Sequence, residues 1–137
     1  MTEQQAKATA VRFFAEQDRL RGGPAADLCD QTYTAYLAGF PAMDLERHRE
    51  FSAGFYAAIP DLEHHIHDVI AEDDRVAVRF RLTGTHSGSF MGHPPSGRPI
   101  DAGALALMRL AAGRVTELRA EFDQLGLLQQ LGALPTQ

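Results

Sequence analysis

The sequence predicts an α+β fold, with helices first and a curved antiparallel sheet after them. Three observations predict it. Apolar residues recur at helical spacing up to Pro60 and at period two beyond it. Pro60 itself marks the change of period. Short turn signals, Glu72-Asp73-Asp74 and Ala111-Ala112-Gly113, then separate consecutive strand candidates.

Taken in order, Thr2 and Gln5 have the spacing of a capping box. Ala6, Ala10, Phe13, Phe14, Gln17 and Leu20 continue as a helical stripe, stopped by Gly22-Gly23-Pro24. Pro24 suits the first turn of a short second helix through about Asp30. Tyr33, Ala35 and Leu37 alternate with Thr34 and Tyr36 as a short extended piece. Asp44 is an N-cap for a helix carrying His48, Phe51, Ser52, Phe55 and Ile59. Strands are expected over about 62–71, 75–86, 99–110 and 114–124. The connection from Ser87 to Arg98, rich in Gly, Pro and Ser, reads as a rim loop. Val76, Val78, Phe80 and Leu82 share one sheet face with His86, and Leu62, His64 and Ile66 share another. The opposite face is also partly apolar, which suggests pairing with a second subunit.

At 137 residues the chain is expected to be one domain over 1–137, without linker or repeat. A chain this long buries about two thirds of its unfolded surface. Its 45% hydrophobic and 23% charged residues are ordinary for a globular protein. The net charge of −5 argues against nucleic acid and anionic membrane as partners. Cys29 is alone, so an intrachain disulfide is excluded and a reducing, cytoplasmic setting is expected. The first residues lack an apolar signal core, and no run approaches the roughly 20 apolar residues of a membrane helix. Phosphate loops, dinucleotide fingerprints, H-E-x-x-H and G-x-S-x-G are missing.

The chemistry turns on Val115 to Gly132. Val115, Glu117, Arg119, Glu121 and Asp123 share one strand parity; Thr116, Leu118, Ala120 and Phe122 share the other. If the charged set faces water, its acids are ordinary surface groups. If it faces inward, Asp123 becomes a candidate proton-transfer group in a cavity.

Two segments are similar to those of one known family. Gly84-Thr85-His86-Ser87-Gly88-Ser89-Phe90-Met91-Gly92-His93-Pro94-Pro95-Ser96-Gly97-Arg98 resembles the G-T-H-x-G-x-F-x-G-x-P-P-x-G-[RK] segment of the SnoaL-like polyketide cyclases, also called ester cyclases. Phe122-Asp123-Gln124-Leu125-Gly126-Leu127-Leu128-Gln129-Gln130-Leu131-Gly132 resembles that family's C-terminal signature. The resemblance implies a cone-shaped nuclear-transport-factor-2-like fold, a deep cavity and a homodimer. It also implies an enzyme needing no metal or organic cofactor. In the family's cyclases an Asp near the end of the last strand takes a carbon-bound proton from a polyketide ester, and an intramolecular aldol closure follows. That Asp maps onto Asp123. Arg119 stands where many members carry Trp, which implies a more polar pocket.

On this basis Asp123 is the expected acid/base, its pKa raised by burial and by Glu121. The competing view has Asp123 capping the turn that follows, through amides near Leu125 and Gly126. His86 either polarises a substrate carbonyl or is satisfied by the rim loop's backbone. Arg119, Glu121 and His64 are the expected polar contacts to a small-molecule substrate. Phe14, Phe55, Tyr56 and Met108 are the expected apolar wall, with Phe90 and Met91 in a lid. His65 and His67 share a strand face at a spacing zinc sites use, but a third ligand is missing, so no metal is expected. Limonene-type epoxide hydrolases share the implied fold but need an R-x-D pair, which this chain lacks. The expected function is cofactor-independent proton transfer at carbon on a small apolar ester or polyketide-like compound. The alternative is a non-catalytic small-molecule-binding protein.

Overall fold

A computed structural model describes residues 1–133; residues 134–137 of the expected domain lie outside the described part. Helix α1 (Glu3–Leu20) starts as its sequence dictates. The Thr2 hydroxyl accepts from the Gln5 amide, the Gln5 side chain accepts from the Thr2 amide, and two otherwise orphaned donors are satisfied. Ala6, Ala10, Phe13, Phe14 and Gln17 form its buried stripe. Burying Phe13 completely contributes about 2–3 kcal/mol. The helix ends at Arg21 in the left-handed region, φ 53°. The expected second helix is only a three-residue 3₁₀ turn, Ala26–Leu28, because the chain must at once enter a strand.

That strand, β1 (Cys29–Leu37), is longer than its sequence pattern indicated. Helix α2 (Leu45–Ala58) follows, with the Asp44 carboxylate accepting from the Arg47 amide at 2.8 Å. It stops at Ile59, which the next residue, Pro60, holds outside the helical region. Strands β2 (Glu63–Glu72), β3 (Arg75–Thr85), β4 (Pro99–Ala111) and β5 (Arg114–Phe122) form the meander, and a short helix α3 (Gln124–Gln130) closes the described chain. The sequence pattern did not indicate α3.

The sheet order is β1-β5-β4-β3-β2. All neighbours are antiparallel except β1 and β5, which run parallel, so the sheet is mixed rather than purely antiparallel. The fold is nonetheless of the expected α+β type, with helices packed on one face of a curved sheet. Helix α1 crosses β2 and β3 while α2 lies by β1, so the concave sheet face and the two helices enclose the core.

Two register shifts decide which side chains face that core. Met108, Ala106 and Ala104 of β4 pair with Leu118, Ala120 and Phe122, whereas Leu110 pairs with Val115. Thr116 is therefore an extra residue, and parity reverses across it. Val115 points inward, and so do Leu118, Ala120 and Phe122; Glu117, Arg119 and Glu121 go to the other face. In β2 a second shift at His67 carries the inward set from His64 and Ile66 to Val69 and Ala71.

The G-T-H-S-G segment is built for close approach. A side chain at Gly84 would run into Ile59 and the Leu62 backbone, and one at Gly88 into the Ala57 carbonyl. The Ser87 and Gly88 amides both donate to the Ala58 carbonyl at 2.9 Å, which fastens the rim loop to the end of α2.

Candidate active site

A cavity of about 80 Å³ lies between α1, α2 and the concave sheet face. It is smaller than the roughly 300–1,000 Å³ of most ligand pockets, so it admits a small molecule or the reacting end of a larger one. Its walls are mainly apolar, from Phe14, Phe51, Phe55, Phe80, Leu118 and Phe122. Edge-to-face contacts brace the mouth: Phe55 meets Phe90 at 5.0 Å and Phe122 at 6.3 Å between ring centroids.

Within these apolar walls sit a few polar side chains. The first group is organised by Asp18 on α1. Its carboxylate accepts from the Tyr56 hydroxyl at 2.6 Å and from the His64 amide at 2.8 Å, and it meets His64 Nδ1 at 2.7 Å. Burial alone would push this carboxyl up; the bonds and charge of His64, with the Tyr56 hydroxyl, outweigh it and hold Asp18 below its ordinary value. A carboxylate has no proton to give, so Nδ1 of His64 must be the donor. Nε2 is then left with its lone pair, since the hydrogen bonds of His64 among the described residues run through its amide and Nδ1. The ring is wedged between Phe14 and Phe80, each at 5.4 Å, and lines the cavity. A histidine so held has a fixed tautomer and a fixed direction for its basic nitrogen. Burial and the Asp18 contact raise the pKa of Tyr56, so it remains a neutral donor.

His48 on α2 also lines the cavity and is buried. Its Nδ1 lies 2.7 Å from the Tyr33 hydroxyl. Burial pushes its pKa down to about 4, so it is neutral near pH 7.

Of the residues singled out from sequence, Phe14, Phe55, Tyr56 and His64 come together here. Others do not. Asp123 is exposed and caps α3, its carboxylate accepting from the Gly126 amide at 2.9 Å. Arg119 lies on the outer sheet face, its guanidinium 4.0 Å from the centre of the Tyr36 ring. Glu121 is exposed and reaches only the cavity rim. The reversal at Thr116 moves all of these from the expected inner face, so Arg119 does not make the pocket polar.

His86 is fully buried, but beneath the rim loop rather than in the cavity wall. Its Nδ1 takes a bond from the Ser96 amide at 3.1 Å, and its backbone pairs with Arg98 and Gly97. It staples the loop shut. Phe90 is buried against Phe55, Met91 is exposed and Met108 is buried in the core; none of the three lines the cavity. His65 bonds Thr83 at 2.8 Å on the outer face, and the described residues hold no group of three or more His, Cys, Asp or Glu placed to bind a metal.

Sequence reasoning missed Asp18. The available signal was its spacing: Phe14, Gln17 and Asp18 lie at i, i+3 and i+4, so an acid continues an apolar stripe.

A curved sheet closed by helices over an apolar cavity with a few fixed polar groups defines a small-molecule site of nuclear-transport-factor-2-like type. The chain belongs to the SnoaL-like polyketide cyclase family, whose model matches residues 8–131. A candidate SnoaL-like polyketide cyclase from Jannaschia sp. CCS1 is 30% identical, with TM-score 0.84 over 97% of this chain and 95% of the other. AclR, a candidate hydroxylase from Streptomyces galilaeus, is 26% identical, with TM-score 0.88 over 98% and 89%. IdmH, a candidate polyketide cyclase from Streptomyces antibioticus, is 27% identical, with TM-score 0.80 over 93% and 99%. No curated protein matches the sequence. No helix among the described residues is long and apolar enough to cross a membrane.

Proposed function

We propose that the cavity catalyses proton transfer at carbon on a small, largely apolar ester or polyketide-like carbonyl compound, with His64 as the general base. The observation that carries this is the Asp18–His64 contact at 2.7 Å inside an apolar cavity. Nε2 of His64 takes a proton from the carbon beside a carbonyl, and the C–H electron pair moves to the carbonyl oxygen as an enolate. In a polyketide-like substrate the enolate carbon attacks a second carbonyl of the same molecule, forming the ring C–C bond. The resulting alkoxide regains a proton from His64. Asp18 stabilises the imidazolium that exists between the two transfers. The chain uses only its own side chains for these steps. Family membership supports the cyclase outcome.

Asp123 takes no part in this scheme, since its carboxylate is exposed to water and is held by the Gly126 amide as the cap of α3. Tyr36, Leu105 and Leu107 expose apolar area on the outer sheet face, which supports self-association through that face. The lone, buried Cys29, its pKa pushed up to about 12 by burial, suits a reducing cytoplasm.

The test is deuterium exchange at the acidic carbon of ethyl acetoacetate, followed by NMR. Wild-type protein accelerates exchange over buffer, and His64→Ala lowers the enzymatic rate by about a hundredfold or more. A His64→Ala protein that is folded and equally active removes the general base. Binding of the ester without faster exchange leaves the protein a binding module.

A further inference from the structure

His48 and Tyr33 form a second buried polar pair at the same cavity, and the scheme above does not use it. We propose that His48 is a further catalytic residue, whose Nε2–H donates a hydrogen bond to the substrate's carbonyl oxygen, and that Tyr33 is the positioning residue that fixes it. This rests on the cavity being a proton-transfer site. It also narrows the substrate class to neutral compounds that present a carbonyl oxygen beside an acidic C–H.

Tyr33 and His48 are both at least nine-tenths buried, and their rings are parallel to within 3°. The 2.7 Å contact between the hydroxyl and Nδ1 is the only hydrogen bond on that hydroxyl among the described residues. Two arrangements are open. If Nδ1–H donated to the phenol, the phenol's own proton would be buried without an acceptor, at a cost of about 1–3 kcal/mol. If the phenol donates to Nδ1, both groups are satisfied there and the imidazole proton resides on Nε2. The second arrangement is therefore the stable one. The ring lines the cavity and Nδ1 is occupied, so Nε2–H is the group a ligand meets.

The two histidines are thus held in opposite tautomers by opposite partners. An acid-bound His64 presents a lone pair, and a phenol-bound His48 presents a proton. One accepts the proton from carbon while the other steadies charge developing on the adjacent oxygen, where a donor that needs no reorganisation has its effect. A neutral imidazole gives a carboxylate or phosphate no full positive charge, so the donor favours an uncharged carbonyl.

The first experiment uses the wild-type protein and long-range ¹H–¹⁵N NMR of its imidazoles. His48 is expected as the Nε2–H tautomer and His64 as the Nδ1–H tautomer. Ethyl acetoacetate, added to the limit of its solubility, is expected to shift the His48 Nε2 resonance. An Nδ1–H tautomer at His48, or a resonance unmoved by the ester, overturns the proposal without touching the role of His64. The second experiment is kinetic. His48→Leu lowers the maximal exchange rate by about a hundredfold, as loss of an oxyanion donor does, while KM changes little. His48→Gln, which keeps an N–H in reach, regains part of the rate. Tyr33→Phe leaves the ring in place but mixes the His48 tautomers. Equal rates for His48→Leu and wild type reject the donor role. A His64→Ala protein that is inactive while His48→Leu is unimpaired separates failure of this donor from failure of the base.

Discussion

Asp18 and Asp123 are the same residue in two opposite settings, and the contrast defines the site. Both accept a hydrogen bond from a backbone amide, Asp18 from His64 and Asp123 from Gly126. Asp123 does little else, because water surrounds it and its amide partner belongs to the helix it caps. Asp18 adds a phenol and an imidazole and is largely enclosed. The difference shows that an acid acquires chemistry from the titratable partner it can polarise and from the exclusion of solvent. Its place in a signature segment does not supply either.

The sharpest way to break this contrast is to neutralise each acid in turn. Asp18→Asn keeps the shape but offers His64 an amide in place of a carboxylate, so the tautomer and the imidazolium lose support. Exchange at the ester's acidic carbon should fall by about a thousandfold. Asp123→Asn should stay within about twofold of wild type, because an exposed cap is far from any reacting atom. Measured side by side, equal losses would place the chemistry at the strand end after all.

A second test uses stability rather than rate. His48 has an ordinary value of 6.5 when unfolded and about 4 when folded, because burial disfavours its charged form. Between these values the unfolded chain binds a proton that the folded chain refuses. Stability is therefore full above pH 6.5 and declines as pH falls toward 4, by about 3 kcal/mol from this residue. Urea unfolding at stepped pH measures it, and His48→Gln should flatten that part of the profile.

How much of this was legible in the sequence follows from which forces were local. The Thr2–Gln5 box, the Asp44 cap and the stop at Pro60 are decided within a few residues, and all three were readable. The meander was readable too, because period two runs unbroken through β3 and β4 and survives on either side of the bulges in β2 and β5. The parity of β5 was not, since a single bulge at Thr116 is fixed by pairing with β4 and leaves no mark in the chain. The parallel partner of β1 and the 3₁₀ turn before it depend on the same long-range packing. His64 was placed on an inner face correctly, but Asp18 was lost among the polar residues of its helix. A buried ion-pairing residue is recognised only with its partner, and here that partner lies 46 positions further on.

The smallest effect is the last refinement. Asp123→Ala removes the α3 cap and leaves the Gly126 amide to water, which should cost about 1 kcal/mol of stability. The Asp123→Asn protein should lose almost nothing, because Asn caps as well as Asp does. Thermal unfolding separates the two variants. Normal exchange activity in both would assign the acid at the end of β5 to helix initiation. Lost activity in both with unchanged melting would instead require Asp123 to enter the cavity during turnover, a movement that its bond to the Gly126 amide opposes.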